Sequence, residues 1–175
     1  MFKKIIVTLM VLVAALLLFA TTKPDTFMVQ RSTTIKAPPE RIFALINDFN
    51  NWGQWSPWEK LDTAMARTYS GPASGVGAVY AWSGNKDVGS GRMEITESVP
   101  NAKVTLALDF LTPFESHNTT EFALVPSGDS TTVTWTMRGP NLYVGKVMSI
   151  FVSMDKMIGK DFVAGLANLK TVTEQ

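Results

Sequence analysis

Few residues in this 175-residue chain have both a type and a placement that suggest chemistry, and Asp155 comes first among them. At about 100° per residue, Val144, Met148, Phe151, Ile158, Phe162, Leu166 and Leu169 fall on one stripe of a C-terminal helix, with Asp155 near its centre. A carboxylate facing an apolar interior must be paired, hydrogen-bonded or protonated, because an unpaired buried charge is very costly. Asp155 is then either a polar anchor or acid/base at the floor of a cavity, or the structural partner of an inward-facing Arg, Tyr or Trp. Perturbed carboxylates also occur in structural networks, which favours the second role. It is the one catalytic candidate. Gly159, on the same face, lets the helix approach a sheet closely.

Other chemistries find little support. His117 is the only histidine and there is no cysteine, so a multi-His or thiolate metal site, an iron–sulfur cluster and a disulfide are all excluded. His117 begins a strand pattern and reads as an exposed rim residue. Glu94, Glu97, Asp109 and Glu121 fall mostly opposite the apolar strand positions, on a solvated outer face, and Glu59 and Lys60 read as local charge. GPASGVG and VGSG do not lead from a strand into a helix as phosphate loops do, and read as turns. No cofactor is called for. With the lysines around the N-terminal apolar run set aside, the chain is slightly acidic, which argues against nucleic acid as a partner.

The aromatic residues are more telling. Tyr80, Trp82 and Trp135 stand on strand positions that face inward, with Leu108 and Phe110, while Trp55 and Trp58 flank Pro57 in a segment placed to act as a lid. Each alone is ordinary packing. Together they outline a pocket, completed from the C-terminal helix by Met148, Phe151, Asp155, Ile158 and Phe162.

The elements that must position these residues follow from periodicity. Phe27–Ile35 alternates as a strand, Ala37-Pro38-Pro39-Glu40 opens a helix, and Ile42, Phe43, Leu45, Ile46 and Phe49 recur at helical spacing. Six more strand patterns follow, over Met65–Ser70, Ala78–Trp82, Arg92–Val99, Val104–Phe110, His117–Val125 and Thr132–Met137, joined by short turns that favour antiparallel hairpins. After Gly139-Pro140 the period is helical to about Thr171. The predicted class is α+β: a curved antiparallel sheet of about seven strands wrapped around one long C-terminal helix.

Ahead of this domain, Ile5–Ala20 holds a single polar residue, Thr8. With Thr21 and Thr22 the run has eighteen residues and as a helix spans roughly 27 Å, near the thickness of a bilayer's hydrocarbon core. Lys3 and Lys4 place its N-terminus in the cytoplasm and the rest outside. Residues 1–23 are therefore expected to be a transmembrane anchor and residues 24–175 one extracytoplasmic, periplasmic domain. Secretion after signal cleavage is the alternative, disfavoured because Leu18 spoils Leu18-Phe19-Ala20 as a cleavage site.

The segments APPERIFALINDFNNWGQWSPWEKLD, YSGPASGVGAVYAWSGN, VGSGRMEITE, TTVTWTMRGP and MDKMIGKDFVAGLANLK, in this order across much of residues 26–171, resemble the START-like (SRPBCC) superfamily, in particular its polyketide cyclase/dehydrase-like branch. The resemblance implies a helix-grip fold with a hydrophobic cavity between sheet and C-terminal helix, which relatives use for lipids, sterols, polyketides or hormones. It implies no one chemistry. The expected function is binding of a hydrophobic small molecule or lipid by a monomer. The alternatives are a cyclase/dehydratase-type enzyme acting through Asp155, and a partner-binding module whose cavity is filled by its own side chains.

Overall fold

The seven strand patterns pair into one antiparallel sheet in a computed structural model that describes residues 1–175. The strands are β1 (Thr26–Ile35), β2 (Ala66–Ser70), β3 (Val79–Ser83), β4 (Ser90–Val99), β5 (Lys103–Thr112), β6 (Ser116–Ser127) and β7 (Ser130–Pro140), and their spatial order is β1-β7-β6-β5-β4-β3-β2. Strands β2 to β7 follow one another as a meander. The first strand, β1, closes the sheet beside the last, with Thr26 opposite Pro140 and Ile35 opposite Thr131. Register shifts between β4 and β5, at Ser90/Gly91 and Ile95/Glu97, bend the sheet where an extra residue interrupts the ladder. Gly71 and Gly77 adopt positive φ in the turn that leads into β3, and a side chain on Gly71 would strike the Gly77 carbonyl.

The helices are α1 (Phe2–Thr21), α2 (Pro39–Ile46), α3 (Tyr143–Ser149) and α4 (Met154–Thr173), with two 3-10 turns over Phe49–Gln54 and Pro57–Lys60. Proline at the start of α2 costs nothing, because its missing N–H lies where a helix has no partner for one. The concave face of the sheet supplies alternate residues to the core: Ile95 from β4, Val104 and Leu106 from β5, Phe122 and Leu124 from β6, and Val133 and Trp135 from β7. Against them α4 buries Phe162, Leu166 and Leu169. Each such side chain contributes about 1.5–3 kcal/mol on leaving water, so α4 is held mainly by this row.

One expectation about the helices is corrected. The long C-terminal helix is present as α4, but the helical pattern that precedes it from Gly139-Pro140 is a separate short helix, α3, with a break at Ile150–Ser153 between them. Ser153 has an extended ψ of 151° and its side chain accepts from the N–H of Lys156, which starts α4 afresh. Helical phase does not carry across such a break. Val144, Met148 and Phe151 therefore leave the stripe they share on paper with Phe162 and Leu166, and all three are exposed.

The first helix, α1, is apolar all round beyond Lys3 and Lys4 apart from Thr8 and Thr21, and Ala20 is its only buried residue. It is long and apolar enough to cross a membrane, and a signal sequence meets the same description.

Candidate functional site

A cavity of about 90 Å³ lies between the concave face of the sheet, α4 and the segment carrying the two 3-10 turns. Thirteen of its sixteen lining residues are hydrophobic, the exceptions being Ser56, Glu59 and Thr120, so an occupant would be held chiefly by apolar contact. The walls are aromatic. Trp135 stacks on Phe162 with centroids 4.2 Å apart, and Trp58 meets both rings edge-on. On the far side Tyr80 stacks on Trp82, which meets Phe110 edge-on.

Two glycines shape these walls. A side chain at Gly91 would run into the Asp109 carbonyl of β5 and the Trp82 ring, so its absence leaves room for that indole beside β4. A Cβ at Gly165 would come within 2.7 Å of Trp135 Cζ3 and 3.1 Å of Pro57 Cδ, so the glycine sets how closely α4 approaches. Asn168 adds a tether, donating from Nδ2 to the Trp55 carbonyl at 3.0 Å.

The polar corner of the cavity is built around Glu59. One carboxylate oxygen accepts from the Tyr80 hydroxyl at 2.6 Å, and the other from Arg67 Nε at 2.7 Å. Burial, and then the adjoining Glu59 carboxylate, push the Tyr80 hydroxyl's pKa well up, so it stays protonated and donating. Two further polar atoms belong to lining residues yet have no partner: Thr120 Oγ1 and Trp135 Nε1.

Of the residues picked from sequence, Trp58, Tyr80, Trp82, Leu108, Phe110, Trp135, Ile158 and Phe162 surround this cavity. Trp55 does not. It is fully buried behind the wall, its Nε1 donating to the Leu45 carbonyl at 3.1 Å and its ring edge-on to Trp135. Met148 and Phe151 are also absent from the cavity, because the break before α4 carries them to the surface, where Phe151 is 69% exposed.

Asp155 is placed differently from the expectation of a buried carboxylate. Half of its side chain is exposed, and it is away from the cavity. It forms a two-pronged ion pair with Arg31 of β1, at 2.7 and 3.0 Å, which lowers its pKa. That is the structural role weighed above, with Arg31 as the partner, but performed at the partly exposed junction of α4 and β1. The guanidinium lies against Gly159, which has room for it because it carries no side chain.

Cavity residues that sequence reasoning passed over include Trp52, Met65, Val88, Met93, Thr120 and Met137. Strand alternation held the signal for three of them. Met93 follows Gly91, Thr120 precedes Phe122 and Met137 follows Trp135, each by two positions on the same strand face. Glu59 was read as local charge, and no periodic signal marks it, since it sits in a 3-10 turn. On the opposite, convex face Arg92, Glu94, Asp109 and His117 form a cross-strand charge network, with His117 Nδ1 2.8 Å from Asp109.

The family model for polyketide cyclase / dehydrase and lipid transport proteins matches residues 26–174, which is every strand and all of α2, α3 and α4. The chain belongs to this family. Solved structures agree on the fold. A Chromobacterium violaceum protein is 16% identical, with a TM-score of 0.58 over 87% of this chain and 99% of its own. The Aha1 dimer from Colwellia psychrerythraea is 21% identical, with a TM-score of 0.57 over 85% and 96%. XoxI from Bacillus cereus is 15% identical, with a TM-score of 0.61 over 83% and 94%. At these identities the likeness concerns the fold alone. No protein of curated function matches the chain in sequence.

Proposed function

We propose that the chain binds a hydrophobic small molecule or lipid in the cavity between sheet and α4, on a periplasmic domain that α1 holds at the cytoplasmic membrane. The observation that carries the reading is the aromatic, largely apolar lining around free volume that the core's own side chains leave unfilled. Free volume of about 90 Å³ is well below the several hundred Å³ of a pocket enclosing a whole small molecule. The ligand then enters by one slim apolar end, as an acyl or isoprenoid chain would, or displaces the Pro57–Lys60 turn to gain room. A tether supports a lipid ligand, because confinement beside the bilayer raises its effective concentration.

A cyclase or dehydratase would need a positioned acid or base. Asp155 is paired with Arg31 outside the cavity, and Glu59, the carboxylate that reaches the cavity, has one oxygen occupied by Tyr80 and the other by Arg67. Such a group suits recognition of a polar ligand end better than proton transfer. Native mass spectrometry of the freshly purified full chain tests the reading. Bound mass of lipid or isoprenoid size is expected, together with saturable uptake of such molecules after delipidation, and Leu108→Trp, which fills the cavity, should abolish both. A delipidated chain that takes up no fatty acid, phospholipid or isoprenoid would sink the proposal.

A further inference from the structure

One end of the sheet gathers features that the cavity does not use. By register, the start of β1, the end of β7, the β5–β6 turn and the β3–β4 loop all lie at this end. The linker from α1 arrives here and α3 departs from here. Exposed apolar side chains lie at the same end: Leu111 near the end of β5, Phe114 in the β5–β6 turn, Val144 and Met148 on α3, and Phe151 and Val152 just beyond it. The β6–β7 turn at the opposite end holds Gly128 and Asp129 instead, and Asp129 pairs with Lys36.

Several contacts fix α3 against the last turns of α1. The Tyr143 hydroxyl donates to the Leu17 carbonyl at 3.1 Å, and Lys146 pairs with Asp25 in the linker. Asn141 donates its backbone N–H to the Asp25 carbonyl at 2.7 Å and its side chain to the Pro24 carbonyl at 3.1 Å. Leu17 lies five residues before Thr22, where the apolar run ends, which is about 7 Å back along the helix axis. Amphipathic helices that lie in a membrane interface settle about 5–10 Å into the headgroup and acyl boundary. With α1 across a bilayer, the Tyr143 hydroxyl at the start of α3 is brought to about that depth, while Lys146 reaches out to the linker. Tyrosine is also a residue type enriched there.

We propose that α3 and the Phe114 turn lie in the interface of the bilayer that α1 spans, so that the domain sits face-down on the membrane. The inference rests on the reading of α1 as a membrane span. It gives the exposed apolar groups a solvent of their own kind, since clusters of this sort on a monomer's surface mark interaction sites. It also orients the cavity. Phe110, Trp82 and Val88 line the cavity at this end of the sheet, with Phe110 next to Leu111 in sequence, so an apolar chain leaving the bilayer would meet the cavity without crossing open water.

The chain has no cysteine, so a single introduced thiol reports on one place. The full chain would be reconstituted in phosphatidylcholine–phosphatidylglycerol vesicles with an environment-sensitive fluorophore at Leu12→Cys, Phe114→Cys, Phe151→Cys or Asp129→Cys. Quenching by lipids spin-labelled high on the acyl chain is then measured. The expected result is blue-shifted, quenched emission at 114 and 151 and solvent-like emission at 129. If 151 behaves like 129 while a label at 12 is buried in lipid, docking is overturned and the span stands. If 12 is solvent-like as well, both fall. The cavity reading is independent of either result, because uptake and its loss in Leu108→Trp are measured separately.

Discussion

Gly159 and Gly165 both lie buried on the sheet-facing side of α4, and replacing each by alanine separates two kinds of contact. In a helix interior alanine is favoured over glycine by about 1 kcal/mol, a gain common to both variants. The cost differs. A Cβ at 165 meets Trp135 Cζ3 at 2.7 Å and Pro57 Cδ at 3.1 Å. Both are ring atoms, and Trp135 is hemmed by Phe162, Phe122, Trp55 and Trp58, so it can yield only by shifting into the cavity and losing those ring contacts. Overpacking of this kind costs about 1–3 kcal/mol. A Cβ at 159 meets only the Arg31 guanidinium, the far end of a flexible side chain that can swing into solvent. What is lost there is one exposed ion pair, and such pairs add little.

Gly159→Ala should therefore match or exceed the parent chain in stability, and Gly165→Ala should fall below Gly159→Ala by about 1–3 kcal/mol. Urea unfolding in mild detergent, followed by tryptophan emission, reads the difference. With slopes of about 1–3 kcal/mol per molar urea, the two midpoints should separate by an amount on the order of 1 M. Coincident midpoints, or Gly165→Ala the more stable of the two, would refute the argument that Trp135 and Pro57 set the spacing of helix and sheet.

Tyr80→Phe removes a hydroxyl donating at 2.6 Å to a carboxylate and leaves Glu59 paired with Arg67 alone. A loss of about 1.5–3 kcal/mol is expected in the same urea assay, the range for a hydrogen bond to a charged group, and an unchanged midpoint would show that the contact contributes nothing. The hydrogen bond to Asp109, reinforced by the charges of Asp109 and Glu115, raises the pKa of His117 above its ordinary value of 6.5. A pKa raised in the folded state means a contribution complete below that ordinary value and lost as pH rises through the folded one. The urea midpoint should decline over that window, and His117→Gln should flatten the decline; an equal slope in the variant would remove His117 as its source.

Much of this protein was readable from local pattern. The seven strands lie where alternation places them, within three residues at the ends, because all but the edge strand β2 turn one face to the core and the period of two survives in sequence. The row Phe162, Leu166 and Leu169 was legible for the same reason at helical period. The inward-facing Tyr80, Trp82, Leu108, Phe110 and Trp135 followed from strand parity alone.

Other features depended on tertiary structure. Periodicity assumes an unbroken helix, and the break at Ile150–Ser153 resets the phase, which sends Met148 and Phe151 to the surface. Ser153 with Asp155 two residues on is a helix-start pattern, but a capping signal of this size is easily outweighed by a long apolar stripe that runs through it. The location of Asp155 depended on Arg31, which lies 124 residues away and pairs with it only after α4 docks beside β1. Glu59 joined the cavity because the 3-10 turn faces Tyr80 and Arg67, and no sequence spacing encodes that contact. Sequence determined which faces are apolar, because burial leaves a periodic trace. The meeting of those faces, and the choice of polar groups caught between them, is set by contacts distant along the chain, which leave none.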